Sequence, residues 1–186
     1  MNRRHIVKIF IPAISLFLVL AGLLSAAHPS SAAETNAPPQ TLTQLPAELQ
    51  DALKNADNFT LYSIKPEPDF QHTSTNTFED HVILGQVDVK SKDTRTKLIA
   101  ALKDGIDEQN KRVPPGVIWL PDCFNPRHGI RATKGNETVE LLICFECEQI
   151  QGSSNQGKSW SFITTRTPAP IFNGVLKKAH VPLAED

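Results

Sequence analysis

Apolar residues recur at two different spacings along the chain, and together they predict helices and strands. Helical spacing, with charged residues between the apolar ones, predicts a helix over Asp93–Gln109, and Ser91 is placed to cap it. Two shorter patterns have a proline near their start, which suits a first helical turn. They predict a helix over Pro46–Leu53 and a final helix that begins at Thr167-Pro168.

Runs rich in β-branched and aromatic residues predict five strands, over Asn58–Ile64, His81–Val89, His128–Thr133, Thr138–Gln149 and Trp160–Thr165. Pro66 and Pro68 should end the first of them, because proline cannot donate a ladder hydrogen bond. The polar segments that run up to Asp80 and over Gln151–Gly157 predict loops. The predicted fold is α+β, in the order α-β-β-α-β-β-β-α, with about three helices and a mainly antiparallel sheet of about five strands.

The dipeptide Gly135-Asn136 suits a tight turn between two of these strands, so it predicts a hairpin with a defined register. A two-residue turn there places Lys134 opposite Glu137, and it pairs Thr133 with Thr138, Arg131 with Glu140 and Ile130 with Leu141. Continued further, the register places Arg127 opposite Cys144 on the polar face. It places His128 opposite Ile143, and Phe124 opposite Cys147, on the apolar face.

The N-terminal segment has the pattern of an export signal. Three basic residues precede an apolar run over Ile9–Leu24, and a small-residue stretch ends at Ala33. The run is short and interrupted for a membrane span, so we predict a signal peptide over residues 1–33, with an uncleaved anchor as the alternative. A flexible spacer over 34–41 and a single domain over 42–186 should follow. The mature protein is therefore expected to be periplasmic or secreted, without a stable membrane span.

Composition narrows the classes of partner. Removal of residues 1–33 takes away three basic side chains and no acidic ones, so the net charge of −1 becomes −4. A mildly acidic chain without a dense Lys/Arg cluster lacks the basic surface that binds the phosphates of nucleic acid. The sequence contains no nucleophile elbow, zinc-protease helix, phosphate-binding loop or dinucleotide fingerprint, so it offers no enzyme motif. A small ligand or another envelope protein is the expected partner.

All three cysteines lie between residues 123 and 147, and they leave three alternatives open. Cys123, His128, Cys144 and Cys147 form a Cys3His set that would suit zinc, although a straight strand would separate Cys144 from Cys147. Cys123 and Cys147 are the better disulfide pair, because Pro126 can bend the chain back and an exported protein meets oxidising conditions. Cys144 would then be an odd thiol beside Arg127, whose charge favours the thiolate. The less specific interpretation treats Cys144 as a small half-buried filler, His128 as a hydrogen-bonded structural histidine, and Arg127 as a partner of Glu146 or Asp122.

Two segments, Cys123–Arg131 and Val139–Cys147, resemble a group of exported bacterial proteins found in planctomycetes and other environmental bacteria. The resemblance runs from the Leu61–Ser63 strand to the Val181–Ala184 tail. It implies a cell-envelope or secreted location and a self-contained domain, and it carries no chemistry. We therefore predict a non-enzymatic binding or accessory domain without a cofactor, centred on the Cys123–Cys147 hairpin, with Arg127, His128 and Cys144 as candidate binding residues. The alternative is a thiol-redox or zinc protein.

Overall fold

One mixed sheet with helices on one of its faces makes up the described part of the protein. The computed structural model describes residues 41–113 and 122–185. Within them the chain forms β1 (Thr41–Leu42), α1 (Ala47–Lys54), β2 (Asn58–Pro68), β3 (Thr77–Phe78), β4 (His81–Asp88), α2 (Lys92–Arg112), β5 (His128–Lys134), β6 (Glu137–Cys144), β7 (Gln149–Ser154), β8 (Ser159–Ile163) and α3 (Ala169–Lys178). The predicted signal peptide over 1–33 and nearly all of the predicted spacer over 34–41 lie outside these residues.

The eight described strands are ordered β1-β8-β7-β6-β5-β2-β4-β3 across the sheet. Strands β5 to β8 form an antiparallel meander, and only β1 runs parallel to its described neighbour, β8. The helices bury their apolar sides against one face of the sheet, and side chains of all three helices join the strands in a single core cluster. The largest fully buried members of that cluster are Phe59, Phe162, Phe172, Leu49, Leu53, Leu61, Leu98, Leu102, Ile106 and Ile130.

The other face of the sheet is partly covered by the short hairpin of β3 and β4. The ring of Phe78 stacks on Tyr62, with 4.6 Å between the ring centroids. Phe78 can lie this close because its neighbour in β5 is Gly129, where an added Cβ would come within 2.5 Å of the ring. The guanidinium of Arg131 lies over both aromatic rings, 5.7 Å from Tyr62 and 5.2 Å from Phe78. A second, smaller apolar cluster therefore holds the hairpin on the sheet.

The predicted order and the predicted number of strands are wrong, although the α+β class fits. Three strands were missed, of which β1 and β3 have only two residues each. The third, β7, occupies the segment that predicts a polar loop. Its glycine is required by packing, because Leu141 and Trp160 fill the space that a Cβ on Gly152 would need. The side chains of Gln151 and Ser153 lie on the open face of the sheet, beside Glu140 and Leu142, where they need no apolar partner.

The predicted end of β2 at Pro66 is also wrong, since the strand continues to Pro68. The ladder between β2 and β5 ends at the pair Ser63–His128, so among the described strands only β4 pairs with the rest of β2. A proline on such a one-sided segment costs no ladder hydrogen bond. The β2–β4 ladder shifts register around Ile64, which adds further irregularity.

The hairpin register is confirmed pair by pair, from Lys134–Glu137 to His128–Ile143. Gly135 takes a positive φ of 56°, which allows the tight turn. The cap of the long helix is confirmed as well, because the Ser91 hydroxyl accepts a hydrogen bond from the backbone N–H of Thr94.

Candidate functional site

Strand β6 ends at Cys144, and the chain then turns over residues 145–148 into β7. The prediction that one strand runs from Thr138 to Gln149 is therefore wrong. The turn forms because β7 pairs back on β6, with Cys144 opposite Gln149. Glu148 takes a positive φ of 55° to close it. The predicted pairing of Phe124 with Cys147 does not occur, since the β5–β6 ladder stops at His128–Ile143.

Cys123 and Cys147 lie at disulfide distance, with their Cα atoms 5.8 Å apart. This separation falls within the range that a disulfide spans, about 4.4–6.8 Å. The turn is held from two further sides. The side-chain amide of Gln149 donates to the carbonyl of Cys123 at 2.8 Å, and Arg166 donates to the carbonyl of Glu146 at 3.0 Å. The cysteine pair thus ties the segment before β5 to the β6–β7 turn.

Cys144 is buried beside this pair. Its Sγ accepts a hydrogen bond from the backbone N–H of Cys147 at 3.1 Å and a second from the backbone N–H of Asn125. Burial raises the pKa of the Cys144 thiol, and the hydrogen bonds and the charge of Arg127 only partly oppose that effect. The charge of Arg127 does favour the thiolate, as the sequence predicts, but burial outweighs this effect.

Arg127 is held in a fixed orientation at the edge of a cleft. Its Nη1 donates to a carboxylate oxygen of Glu146 at 2.6 Å, and its Nε donates to the backbone carbonyl of Glu185 at 3.0 Å. Only 18% of the side chain is exposed. One partner belongs to the cysteine turn and the other to the C-terminal tail, so Arg127 connects these two segments. Of the two carboxylates considered from the sequence, Glu146 is the partner.

The cleft beside Arg127 has a volume of about 630 Å³. One wall is the end of β2, and the other is the extended tail that follows α3. The tail lies close to the sheet because β4 has a glycine beneath it, and a Cβ on Gly85 would come within 2.8 Å of the side chain of Val181. His81 supports the β2 wall, because its Nδ1 donates to the carbonyl of Lys65 at 2.9 Å. The lining residues are Lys65, Pro66, Glu67, Leu84, Arg127, Pro182, Leu183, Ala184 and Glu185.

His128 lies on the helix side of the sheet and is buried. Its Nε2 donates to the side-chain oxygen of Asn173 at 2.8 Å, and its ring packs edge-on against Phe145 and Phe172. Its Nδ1 is buried with no hydrogen-bond partner among the described residues, and so is the hydroxyl of Ser63, which pairs with His128 between β2 and β5. Burial lowers the pKa of His128 to about 4, so the imidazole is neutral at neutral pH.

The side chains of the four proposed zinc ligands do not all converge on a common site. Cys123 and Cys147 are paired with each other, and the His128 ring is engaged with Asn173. Among the described residues, no three His, Cys, Asp or Glu side chains are grouped in a metal-binding arrangement. The zinc hypothesis stays a prediction, which metal analysis of the purified protein would test.

A carboxylate pair on the open face of the sheet was missed by the sequence analysis. Glu79, in the β3–β4 turn, is hydrogen-bonded to Glu140 of β6, and the hydroxyl of Ser153 donates to Glu79 at 3.2 Å. The hydrogen bond to Glu140, burial and the like charge raise the pKa of Glu79. Arg131 forms the predicted cross-strand ion pair with Glu140. The sequence signals that ion pair, but it does not signal that the β3–β4 turn folds onto it.

Comparisons with protein-family models, curated proteins and solved structures give no match. The resemblance that the sequence suggests stays a prediction. Among the described residues there is also no helix with the length and apolar character needed to cross a membrane.

Proposed function

We propose that the protein is an exported binding domain that takes a small zwitterionic ligand, an amino acid or a short peptide, in the cleft beside Arg127. The observation that carries the proposal is the fixed and largely buried guanidinium of Arg127 at the edge of a 630 Å³ cleft. Clefts of about 300–1,000 Å³ with a few fixed polar groups are typical of small-molecule sites. This size favours a small ligand over an envelope protein, the other partner that the sequence predicts.

The charges of the cleft support a ligand that carries both signs. Arg127 and Lys65 offer two cations, and Glu67 and Glu185 offer two carboxylates. Two contacts to other residues of the chain already use Nε and Nη1 of Arg127, which leaves further guanidinium N–H groups for a ligand carboxylate. A fixed guanidinium binds a carboxylate with little loss of conformational freedom, because its geometry is set in advance. The ammonium group of the ligand would face the carboxylates across the cleft.

The disulfide-distance pair supports this site indirectly. Glu146 lies in the turn that Cys147 anchors, and it orients Arg127. The cysteine hairpin thus serves as the scaffold of the site, and the ligand would meet Arg127 and the tail.

Arg127→Gln is expected to weaken the binding of trialanine, a zwitterionic peptide, by about 10- to 100-fold. The substitution removes a charge-assisted hydrogen bond to the ligand carboxylate, which contributes about 1.5–3 kcal/mol. Titration calorimetry with the wild type and the variant measures the change. Arg112→Gln is the matched control, because it removes an exposed arginine that is paired with Glu108 on α2.

Glu146→Gln separates ligand binding from the internal ion pair. It breaks that pair but keeps the guanidinium, so binding should fall far less than in Arg127→Gln. Equal affinities of the wild type and Arg127→Gln for trialanine, or no binding of trialanine by the folded wild type, would refute the proposal.

A further inference from the structure

The three cysteines are arranged so that one buried thiol lies beside the bond between the other two. The backbone N–H of Cys147 donates to the Sγ of Cys144 at 3.1 Å, so Cys144 and Cys147 are close in space as well as in sequence. Cys147 is itself at disulfide distance from Cys123. A straight strand would separate Cys144 from Cys147, but the turn over 145–148 brings them together, so a bond between them becomes possible.

Exposure differs sharply among these three residues. Cys144 is 1% exposed and Cys147 is 2% exposed, whereas Cys123 is exposed. A reagent as large as iodoacetamide therefore has no direct access to Cys144 in the folded protein. The Cys144 sulfur accepts a hydrogen bond from the backbone N–H of Cys147, so it lies beside the residue that pairs with Cys123. Two backbone N–H groups, from Cys147 and Asn125, donate to the Cys144 sulfur and partly offset the burial that raises the pKa of its thiol, so the thiolate becomes available mainly at raised pH.

We propose that the β6–β7 turn is an internal thiol–disulfide exchange site, in which Cys144 displaces Cys123 from Cys147 and presents Cys123 as the reactive thiol. The Cys144 thiol first loses its proton to a base from solvent. Its thiolate attacks the Sγ of Cys147, the Cys144–Cys147 bond forms, and the Cys123–Cys147 bond breaks. The electron pair of the broken bond leaves on the Sγ of Cys123, which takes up a proton from water. One disulfide and one thiol are present before and after, so the step needs no oxidant or reductant.

The exchange converts a buried thiol into an exposed one. The freed Cys123 thiolate would react directly with external disulfides and other thiol-reactive compounds. The internal step becomes faster with rising pH, because its nucleophile is the thiolate.

The test is alkylation of the native, oxidised protein with iodoacetamide at pH 7 and pH 9, followed by peptide mapping without reduction. The expected product carries the label on Cys123 and a bond between Cys144 and Cys147, and it forms faster at pH 9. Cys144→Ser is the control, and it should keep the Cys123–Cys147 bond and remain unlabelled. Cys144→Ala replaces it if the serine variant does not fold.

Three outcomes would overturn the proposal. Label on Cys144 with the Cys123–Cys147 bond intact would mean that reagent reaches the buried thiol directly. Equal labelling of Cys123 in the wild type and in the Cys144 variant would mean that Cys144 plays no part. No label in the folded wild type at either pH would mean that the exchange does not occur.

Discussion

Cys147→Ser is expected to lower the free energy of unfolding by about 2–4 kcal/mol under oxidising conditions. Cys123 and Cys147 are 24 positions apart, so a bond between them closes a loop of moderate length in the unfolded chain. Removing that constraint raises the conformational freedom of the unfolded state, which is the main source of the loss. Denaturant unfolding of the oxidised wild type and the variant, followed by circular dichroism, measures the difference.

Cys123→Ser is the cleaner companion to this variant, because Cys123 is exposed and its serine leaves no buried hydroxyl. It should lose nearly as much stability as Cys147→Ser. The exchanged Cys144–Cys147 bond would close only a very short loop, so it would restore little. Reduction with dithiothreitol should lower the wild type to the level of the variants and leave the Cys147→Ser variant unchanged. Equal stability of the oxidised wild type and Cys147→Ser would remove the bridge from the account.

Acid is expected to destabilise the protein by about 3 kcal/mol between pH 6.5 and pH 4 through His128 alone. Burial lowers the pKa of His128 from an ordinary value of 6.5 to about 4 in the folded state. The unfolded chain therefore binds a proton in this window that the folded protein does not bind. The contribution of the neutral His128 to the free energy of unfolding is nearly complete above pH 6.5, and it is lost as the pH falls toward 4. Arg127, next to His128 in the chain, lowers the pKa further by like charge.

His128→Phe should flatten this part of the stability profile, since a phenyl ring fits between Phe145 and Phe172 and does not titrate. His72→Gln is the matched control, because it removes an exposed histidine and should leave the slope between pH 6.5 and pH 4 as it is in the wild type. Glu79, whose pKa is raised, titrates in the same window with the opposite sign, and it does so equally in the wild type and the variant. The pKa values of three carboxyl groups are lowered from ordinary values of 3.8–4.5, so the stability that these groups contribute is lost at lower pH. They are Asp51, Asp69 and Glu108. An unchanged slope in His128→Phe between pH 6.5 and pH 4 would contradict the assignment.

The hairpin of β5 and β6 could be predicted from the sequence because its information is local. A glycine-containing dipeptide fixes the turn, and every pair after it follows from a two-residue repeat, including Arg131–Glu140. The long helix α2 was predictable for the same reason, since its periodicity and its serine cap lie within one segment. The ion pair between Arg127 and Glu146 was among the two predicted from the sequence, because few carboxylates lie near enough in the chain to pair with Arg127.

Other features depend on contacts between distant segments, which local patterns do not encode. Strand β7 has the composition of a loop, and it becomes a strand only because β6 and β8 lie on both sides of it. The turn after Cys144 follows from that pairing. The contact of Glu79 with Glu140 joins residues that are 61 positions apart. The cleft could not be predicted either, because its walls come from β2, β4 and the C-terminal tail.

The most direct test of the binding proposal is a two-dimensional NMR titration of the ¹⁵N-labelled protein with trialanine. The account predicts saturable shifts of the backbone amides around the cleft, at Lys65, Glu67, Leu84, Arg127 and the 183–185 tail, and their loss in Arg127→Gln. Shifts confined to another surface, or no shifts at all in the folded protein, would contradict it.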